Sequence, residues 1–454
     1  MSTPGTPSER RAELWRQVDS VLGPEPPATT ADISIARRRR RSYRATDADT
    51  CSSVELRRAD DDTLHWLYQP SKVDTGTRRR GWRASVSAND SLVKAFRFEP
   101  VSADDIQGTN TVTEGLRQLD DRLTPEHGLK RWDAKAGKLV AHDDTQPLEG
   151  PTLLFVHGTF SRCQMFFDEL DATPTGKATL GAWLKKERYT NVLAFDHHTL
   201  SVGAWSNGID LAAKLRKVAG PIDVVCHSRG GLVVSWALRL RPIRITRLVF
   251  VASPLTGTSL AAPNRLRDAL HRLANFADAA AAGGAAISSV LPFAAGAAGL
   301  AKVCGAALRL GDTPIVDAAV LLVPGLASQQ RIQHSETAKL FDDEWLVVPK
   351  MFGVGSNFQP LESNQPLWKF WRRFNNIGSQ LKHAAADFIF EQDNDLVVDL
   401  VAMRQLGLGS LPSPPAMTMQ EFKSLGVAEG ACDTHHTNYF RNAAVIQAIN
   451  RWLT

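Results

Sequence analysis

The segment VVCHSRGGLVV, residues 224–234, sets two nucleophilic side chains, Cys226 and Ser228, just ahead of the pair Gly230-Gly231. Serine chemistry at such a spot needs a strand that stops abruptly, the nucleophile at the tip of a strained turn, and a helix that begins at once. The helix N-terminus then aims backbone N–H groups at the oxyanion that forms during acyl transfer. Ile222 to Val225 reads as that strand, Ser228 as the tip and LVVSWALRL as the helix. Cys226 falls at the strand end, where its sulfur faces the packed interior, and a buried structural thiol is inert. Ser228 is the preferred nucleophile and Cys226 its competitor. A Gly-rich bend inside a core is the reading without chemistry.

A Ser near a Gly says little alone, so partners must follow in chain order. PTLLFVHGTFS supplies an earlier strand and then His157-Gly158-Thr159-Phe160. The backbone N–H of Thr159, with that of Arg229, is the expected oxyanion hole. His157 precedes the serine and is expected to hold the loop. For the acid, ADFIFEQDNDLVVDL offers a short strand at Phe388–Phe390 and then Asp393, Asp395 and Asp399. Asp395, in Asn-Asp-Leu-Val-Val, is preferred; Asp393 stays open beside it, as does a plain Asx-rich turn. For the base, DTHHTNYFRNAAVIQAINRWL sets His435 and His436 in a loop before a closing amphipathic helix. His436 is preferred and His435 is the alternative.

To position these groups the chain needs a sheet whose strands end at one edge. From about residue 150, TLLFVHG, NVLAFDH, IDVVCHS and RLVFVAS alternate with helical stretches at Leu180–Glu187, at Gly208–Val218 and from Gly231. Near-continuous β-branched strands separated by helices mark a parallel sheet buried on both faces. The fold class is α/β. Residues 260–330 break the rhythm. The uncharged run Ala279–Ala301 is long enough to raise a membrane span, but its Ala and Gly content and Pro292 favour a helical insert placed as a lid. Leu367–Phe374 mixes aromatics with cations and reads as a core-packed helix with a basic face or as an interfacial helix.

Ahead of the sheet, residues 46–148 carry short strand signals and read as a β-rich N-terminal extension. VELRR and TLHWLYQ flank Asp60-Asp61-Asp62 as a hairpin. Residues 1–45, rich in Pro, Thr, Ser and Arg and including the run Arg37–Arg41, read as a flexible basic tail. The main domain is expected over 149–454, with its lid at 260–330.

Residues 150–454 resemble the α/β-hydrolase superfamily, in particular its lipase-like serine hydrolases. The resemblance rests on Val156–Phe160, Cys226–Gly231, Asn394–Val398 and His436–Phe440, in that order, and Val251–Thr258 is similar to the loop where a lid begins. Phe195–Ser201 resembles an uncharacterised bacterial branch. Cys226 departs from the pattern, in which Gly is commonest. The resemblance implies an α/β-hydrolase fold with a mostly parallel central sheet, and a two-step acyl transfer. In it His436 deprotonates Ser228, Asp395 orients and stabilises the imidazolium, the two N–H groups bind the oxyanion, and water resolves the acyl-enzyme. It implies no metal and no organic cofactor.

Composition sets outer limits. A net charge of +5, with both signs mixed along 454 residues, does not ask for a nucleic-acid partner. Five Cys without CxxC spacing argue against a zinc site or disulfide framework and for a reducing compartment. MSTPGTPSERRAELW lacks the apolar core of a signal peptide, so a cytoplasmic protein with transient membrane-surface contact is expected. His197 and His198 lack metal-ligand spacing and read as loop packing. The expected substrate is a lipid-like or small carboxylic ester, as for a lipase, phospholipase or esterase. Alternatives are thioester or amide hydrolysis with the same three residues, a membrane-acting toxin or defence effector, and a hydrolase-fold binding module without catalysis.

Overall fold

The computed structural model describes residues 5–23, 52–69, 90–98, 109–143, 146–185, 187–258, 261, 266–308, 323–329, 340, 348–360, 364–375, 394–404, 406, 416–422 and 433–454. The chain start is not the mobile segment that its composition suggests. Thr6 Oγ1 accepts from Glu9 N at 3.3 Å while the Glu9 carboxylate accepts from Thr6 N at 2.6 Å, and Pro7 opens the first turn of α1 (Pro7–Leu22). This reciprocal cap starts a helix, and Leu14, Trp15, Val18 and Leu22 form one buried stripe along it. Arg37–Arg41 lies outside the described residues. β1 (Ser52–Arg58) and β2 (Leu64–Gln69) form the hairpin around Asp60–Asp62, and β3 (Ser91–Phe98) pairs with the other side of β1. α2 (Thr109–Leu123) follows.

The sequence assigns residues up to 148 to the extension, but β4 (Gly128–Asp133) and β5 (Lys138–Ala141) belong to the main sheet. After β6 (Thr152–Val156) come α3 (Gln164–Asp171), α4 (Pro174–Trp183) and β7 (Asn191–Asp196). β4 pairs antiparallel with β7, Leu129 beside Phe195, so the boundary moves to the N-terminal side of β4. Only backbone pairing reveals this, because β4 and β5 are half-exposed and lack a strong apolar pattern. α4 starts at Pro174 rather than near Leu180 because Thr173 caps it through Gly176 N at 3.1 Å. α5 (Ala204–Lys214), β8 (Ile222–His227), α6 (Gly230–Leu240) and β9 (Ile245–Val251) continue the alternation. Two more strands, β10 (Lys350–Ser356) and β11 (Met417–Phe422), complete the order β11-β10-β9-β8-β6-β7-β4-β5. Every neighbouring pair is parallel except the two that involve β4. β6, β7 and β8 are buried at every residue, as parallel strands covered on both faces must be.

The insert forms α7 (Leu266–Ala282) and α8 (Ile287–Leu308), two packed helices that roof the end of the sheet carrying Ser228. Among the described residues no helix is long and apolar enough to cross a membrane. The outer side of this roof is covered by the N-terminal elements, with which it shares one apolar cluster. Asp278 of α7, 3% exposed, accepts from Arg58 at 2.9 Å and Trp15 Nε1 at 3.4 Å and forms an ion pair with Arg11 at 2.8 Å. The Asn275 amide exchanges two bonds of 2.9 Å with the N–H and C=O of Leu64 on β2. Arg10 bonds the carbonyls of Ala281, at 3.1 Å, and Ala282, which lie at the negative end of the α7 dipole.

The short helix α9 (Pro324–Ala327) precedes α10 (Gln365–Asn375), which buries Leu367 and Phe370 in the roof cluster and exposes Lys369 and Arg372. That is the core-packed form expected for 367–374. α11 (Leu400–Arg404) and α12 (Ala443–Leu453) end the chain against the sheet. The strand expected at Phe388–Phe390 lies outside the described residues.

Candidate active site

β6 and β8 are neighbours in register, Val156 opposite Cys226, so the loops that leave them start side by side. A Cβ on Gly158 would stand 2.6 Å from the Cβ of Ser228, and one on Gly230 would stand 2.4 Å from the carbonyl oxygen of Val156. Only hydrogen fits at either position. Ser228 has φ 53°, in the left-handed region, with its N–H held by Val251 O at 2.8 Å. A non-glycine residue in that conformation costs about 1–3 kcal/mol and persists only where its surroundings fix it. Phe160 (φ 57°) and Leu396 (φ 82°) share this strain on loops around the same cavity. Cys226 is turned away, its Sγ 3.3 Å from Val249 O, and burial pushes its thiol pKa far up. The thiolate that cysteine chemistry requires is therefore disfavoured.

His436 Nδ1 lies 2.8 Å from Asp395 Oδ2. Asp395 is fully buried, and its carboxylate also accepts from Val397 N at 3.1 Å, Val398 N at 2.8 Å and the Tyr439 hydroxyl at 3.0 Å. Four donors fix this carboxylate in place. With Nδ1–H donating to it, Nε2 is the ring's acceptor. His435 is held elsewhere, edge-on to Phe276 at 5.1 Å and Phe358 at 5.5 Å, with Nδ1 3.0 Å from Thr437 Oγ1; burial lowers its pKa to about 3. Asp393 lies outside the described residues. Asp399 pairs through its backbone with Asn394 at the entry to α11.

The two loops are braced by buried side chains. His157 Nδ1–H donates to Gly158 O at 2.8 Å and its Nε2 accepts from His197 N–H at 3.0 Å; burial lowers its pKa. A neutral ring with one defined tautomer meets both bonds, which makes His157 a loop holder. His197 stacks on it at 4.1 Å, and His198 Nε2 sits 3.2 Å from Asp121 Oδ1. Arg229, fully buried, donates through its guanidinium to Val202 O at 2.6 Å. His227 Nε2–H donates to the His436 carbonyl at 3.0 Å, joining the turn of the serine to the loop of the histidine, while burial holds its pKa well below the usual histidine range.

Gln329, which carries no sequence signal, donates to Thr159 Oγ1 at 3.0 Å and Gly325 O at 2.8 Å. Tyr439 lies inside a motif that the sequence shows, but its bond to Asp395 is visible only in three dimensions. Ser228, His436 and Thr159 line one cavity of about 50 Å³, walled by Phe160, Leu270, Leu273, Phe293, Leu326 and Val397 among others. This is space for a few waters rather than an acyl chain. Among the described residues no cluster of His, Cys, Asp and Glu is arranged to hold a metal ion. A strained serine, a histidine oriented by a carboxylate and an apolar chamber can together perform acyl transfer.

No curated protein matches the sequence. Among solved structures, the lipase BlEst2 from Bacillus licheniformis in its propeptide form is 16% identical, over 72% of this chain and 53% of that one, with TM-score 0.38. The chain thus spans about half the length of that protein. Lipase 1 from Pelosinus fermentans is 12% identical over 67% of this chain and 98% of its own, with TM-score 0.37. Phospholipase PlaB from Legionella pneumophila is 13% identical over 67% of this chain and 60% of its own, with TM-score 0.35. Likeness at this level says nothing about substrate. The mostly parallel eight-stranded sheet and the tight turn from β8 into α6 make the fold that of an α/β-hydrolase. The family described as a domain of unknown function (DUF7379) matches residues 121–454, and to this family the chain belongs.

Proposed function

We propose that this protein is a serine hydrolase that cleaves carboxylic esters with an apolar acyl part. The observation that carries the reading is the left-handed turn of Ser228 on the wall of a chamber that His436 also lines, with His436 held by a buried, fully bonded carboxylate. Ser228 acts as nucleophile, His436 as base and then acid, and Asp395 fixes the imidazole and stabilises its charged form. The N–H groups of Thr159 and Arg229 receive the oxyanion, on loops that the β6–β8 register sets side by side. Water entering after the alcohol leaves completes hydrolysis.

The Leu, Phe and Val lining supports an apolar acyl group, and the small closed volume requires α7 and α8 to move for a chain to enter. The exposed Lys369 and Arg372 on α10, the latter 4.7 Å over the Trp368 ring, suit contact with an anionic membrane surface. Thioesters and amides would use the same three residues.

The test is labelling with a fluorophosphonate probe. Wild type and Cys226→Ala are expected to label, and Ser228→Ala is not. Labelling that persists in Ser228→Ala overturns the assignment. A folded wild type that stays unlabelled even with detergent or lipid vesicles present supports a binding module instead.

A further inference from the structure

Asp120 sits in the last turns of α2, fully buried, one residue ahead of the span that the family matches. Among the described residues no cation pairs with it. Its carboxylate instead collects one loop: Thr199 N at 2.9 Å, Leu200 N at 3.1 Å, Ser201 N at 2.7 Å and Ser201 Oγ at 2.6 Å. Three consecutive backbone N–H groups closing on one anion fix the path of the chain, since each bond is charge-assisted. The loop follows β7 and is gripped at its two ends by residues of the candidate site, His157 at His197 N and Arg229 at Val202 O.

One contact leads from this loop to the proposed oxyanion hole. The Thr199 hydroxyl donates to Asp120 Oδ1 at 3.4 Å and accepts the N–H of Phe160 at 3.3 Å. Phe160 is the left-handed residue directly after Thr159. Anchoring its N–H holds the peptide on the far side of Thr159, while the His157 bond to Gly158 O holds the peptide that carries the Thr159 N–H, so Thr159 is braced from both sides. We propose that Asp120 is a positioning residue for the oxyanion hole, acting through the Thr199 hydroxyl. The inference rests on the serine-hydrolase reading above. A helix outside the sheet thereby steadies the backbone beside a donor that it does not touch.

Thr199→Val separates positioning from mere folding. It keeps the size of the side chain and leaves the Thr199 N–H bond to Asp120 intact, but leaves Phe160 N–H without its acceptor. With p-nitrophenyl butyrate as substrate, kcat is expected to fall roughly 10-fold or more, short of the ~10²–10³ lost when an oxyanion donor is removed outright. KM should stay within about twofold, the signature of an interaction made only in the transition state. Thr199→Ser should restore kcat. A trifluoromethyl ketone, whose adduct carries the oxyanion, should lose affinity in Thr199→Val in parallel with kcat, while the matching secondary alcohol should not.

Asp120→Asn should show the same split together with a lower melting temperature. Wild-type kcat in a Thr199→Val protein of wild-type melting temperature overturns the proposal, as does equal loss of ketone and alcohol binding. If Thr199→Val fails to fold, Asp120→Asn and Thr199→Ser decide on the same split. A wild type that neither turns over nor labels with fluorophosphonate sinks the serine-hydrolase reading instead, and this proposal with it.

Discussion

Replacing Asp395 by Asn keeps its shape but puts N–H groups where four donors now converge. The amide must misplace either the two backbone bonds or the imidazole tautomer. For Asp395→Asn, kcat is expected to drop by ~10³–10⁴ with the fold retained. Tyr439→Phe removes one donor from the same oxygen and should cost only severalfold, the weight of one bond of about 1 kcal/mol. Steady-state kinetics on the pair test this: equal losses would show that the carboxylate is held by something other than these bonds. Residues of this site were unequally legible in the sequence. Ser228 and Asp395 stand in short motifs that a reader can see. His435 and His436 are adjacent and alike in sequence, and only the structure separates them, with Asp395 bonded to the second and Phe276 and Phe358 packed on the first. Gln329 and Asp120 act on partners 170 and about 80 positions away, where no local pattern can point.

At the level of elements, α3 meets the loop of His436 through one awkward pair. Glu169 is 2% exposed and faces Arg441 at 3.1 Å, in the 3₁₀ turn Tyr439–Arg441. Burial raises its pKa from 4.5 to about 7 despite the pull of Arg441. Between those values the folded protein holds a proton that the unfolded chain has released. Stability therefore falls as pH rises through this window and levels off above it. Glu169→Gln should flatten that slope, with its stability relative to wild type improving from pH 5 to pH 8 by up to about 3 kcal/mol. Urea melts at the two pH values measure it; parallel curves would mean that Glu169 is charged throughout. The same scale explains what the sequence hid. β4 and β5 are half-exposed, so pairing rather than pattern reveals them. α1 carries a readable cap in Thr6 and Glu9, but its polar composition masked a four-residue buried stripe.

Seen as a whole, the molecule is a sheet with an apolar cluster on each face and a third cluster outside the roof. The roof helices thus answer to two masters: their inner side walls the chamber and their outer side belongs to the N-terminal layer. Asp278 is where the outer side is fastened. Asp278→Asn leaves Arg11 and Arg58, about a fifth exposed, with only the exposed Asp62 as counter-charge. Since removing one partner of a buried pair costs ~3–5 kcal/mol, a loss of about 2–3 kcal/mol is expected for these partly exposed partners. Denaturant unfolding checks it, and an unchanged midpoint would show that the apolar cluster alone holds the roof.

This fastening also sets an order of events during synthesis. Arg58 and Trp15 reach Asp278 across 220 and 263 positions. At roughly 5–20 residues per second, the ribosome needs roughly 10–40 s after making β1 before α7 exists to receive it. Through that interval Trp15, Leu56 and Trp66, all buried in the finished protein, have no roof to pack on. These residues are made well before α7 and α8 and stay unsheltered until that roof exists, which leaves their apolar side chains exposed in the growing chain.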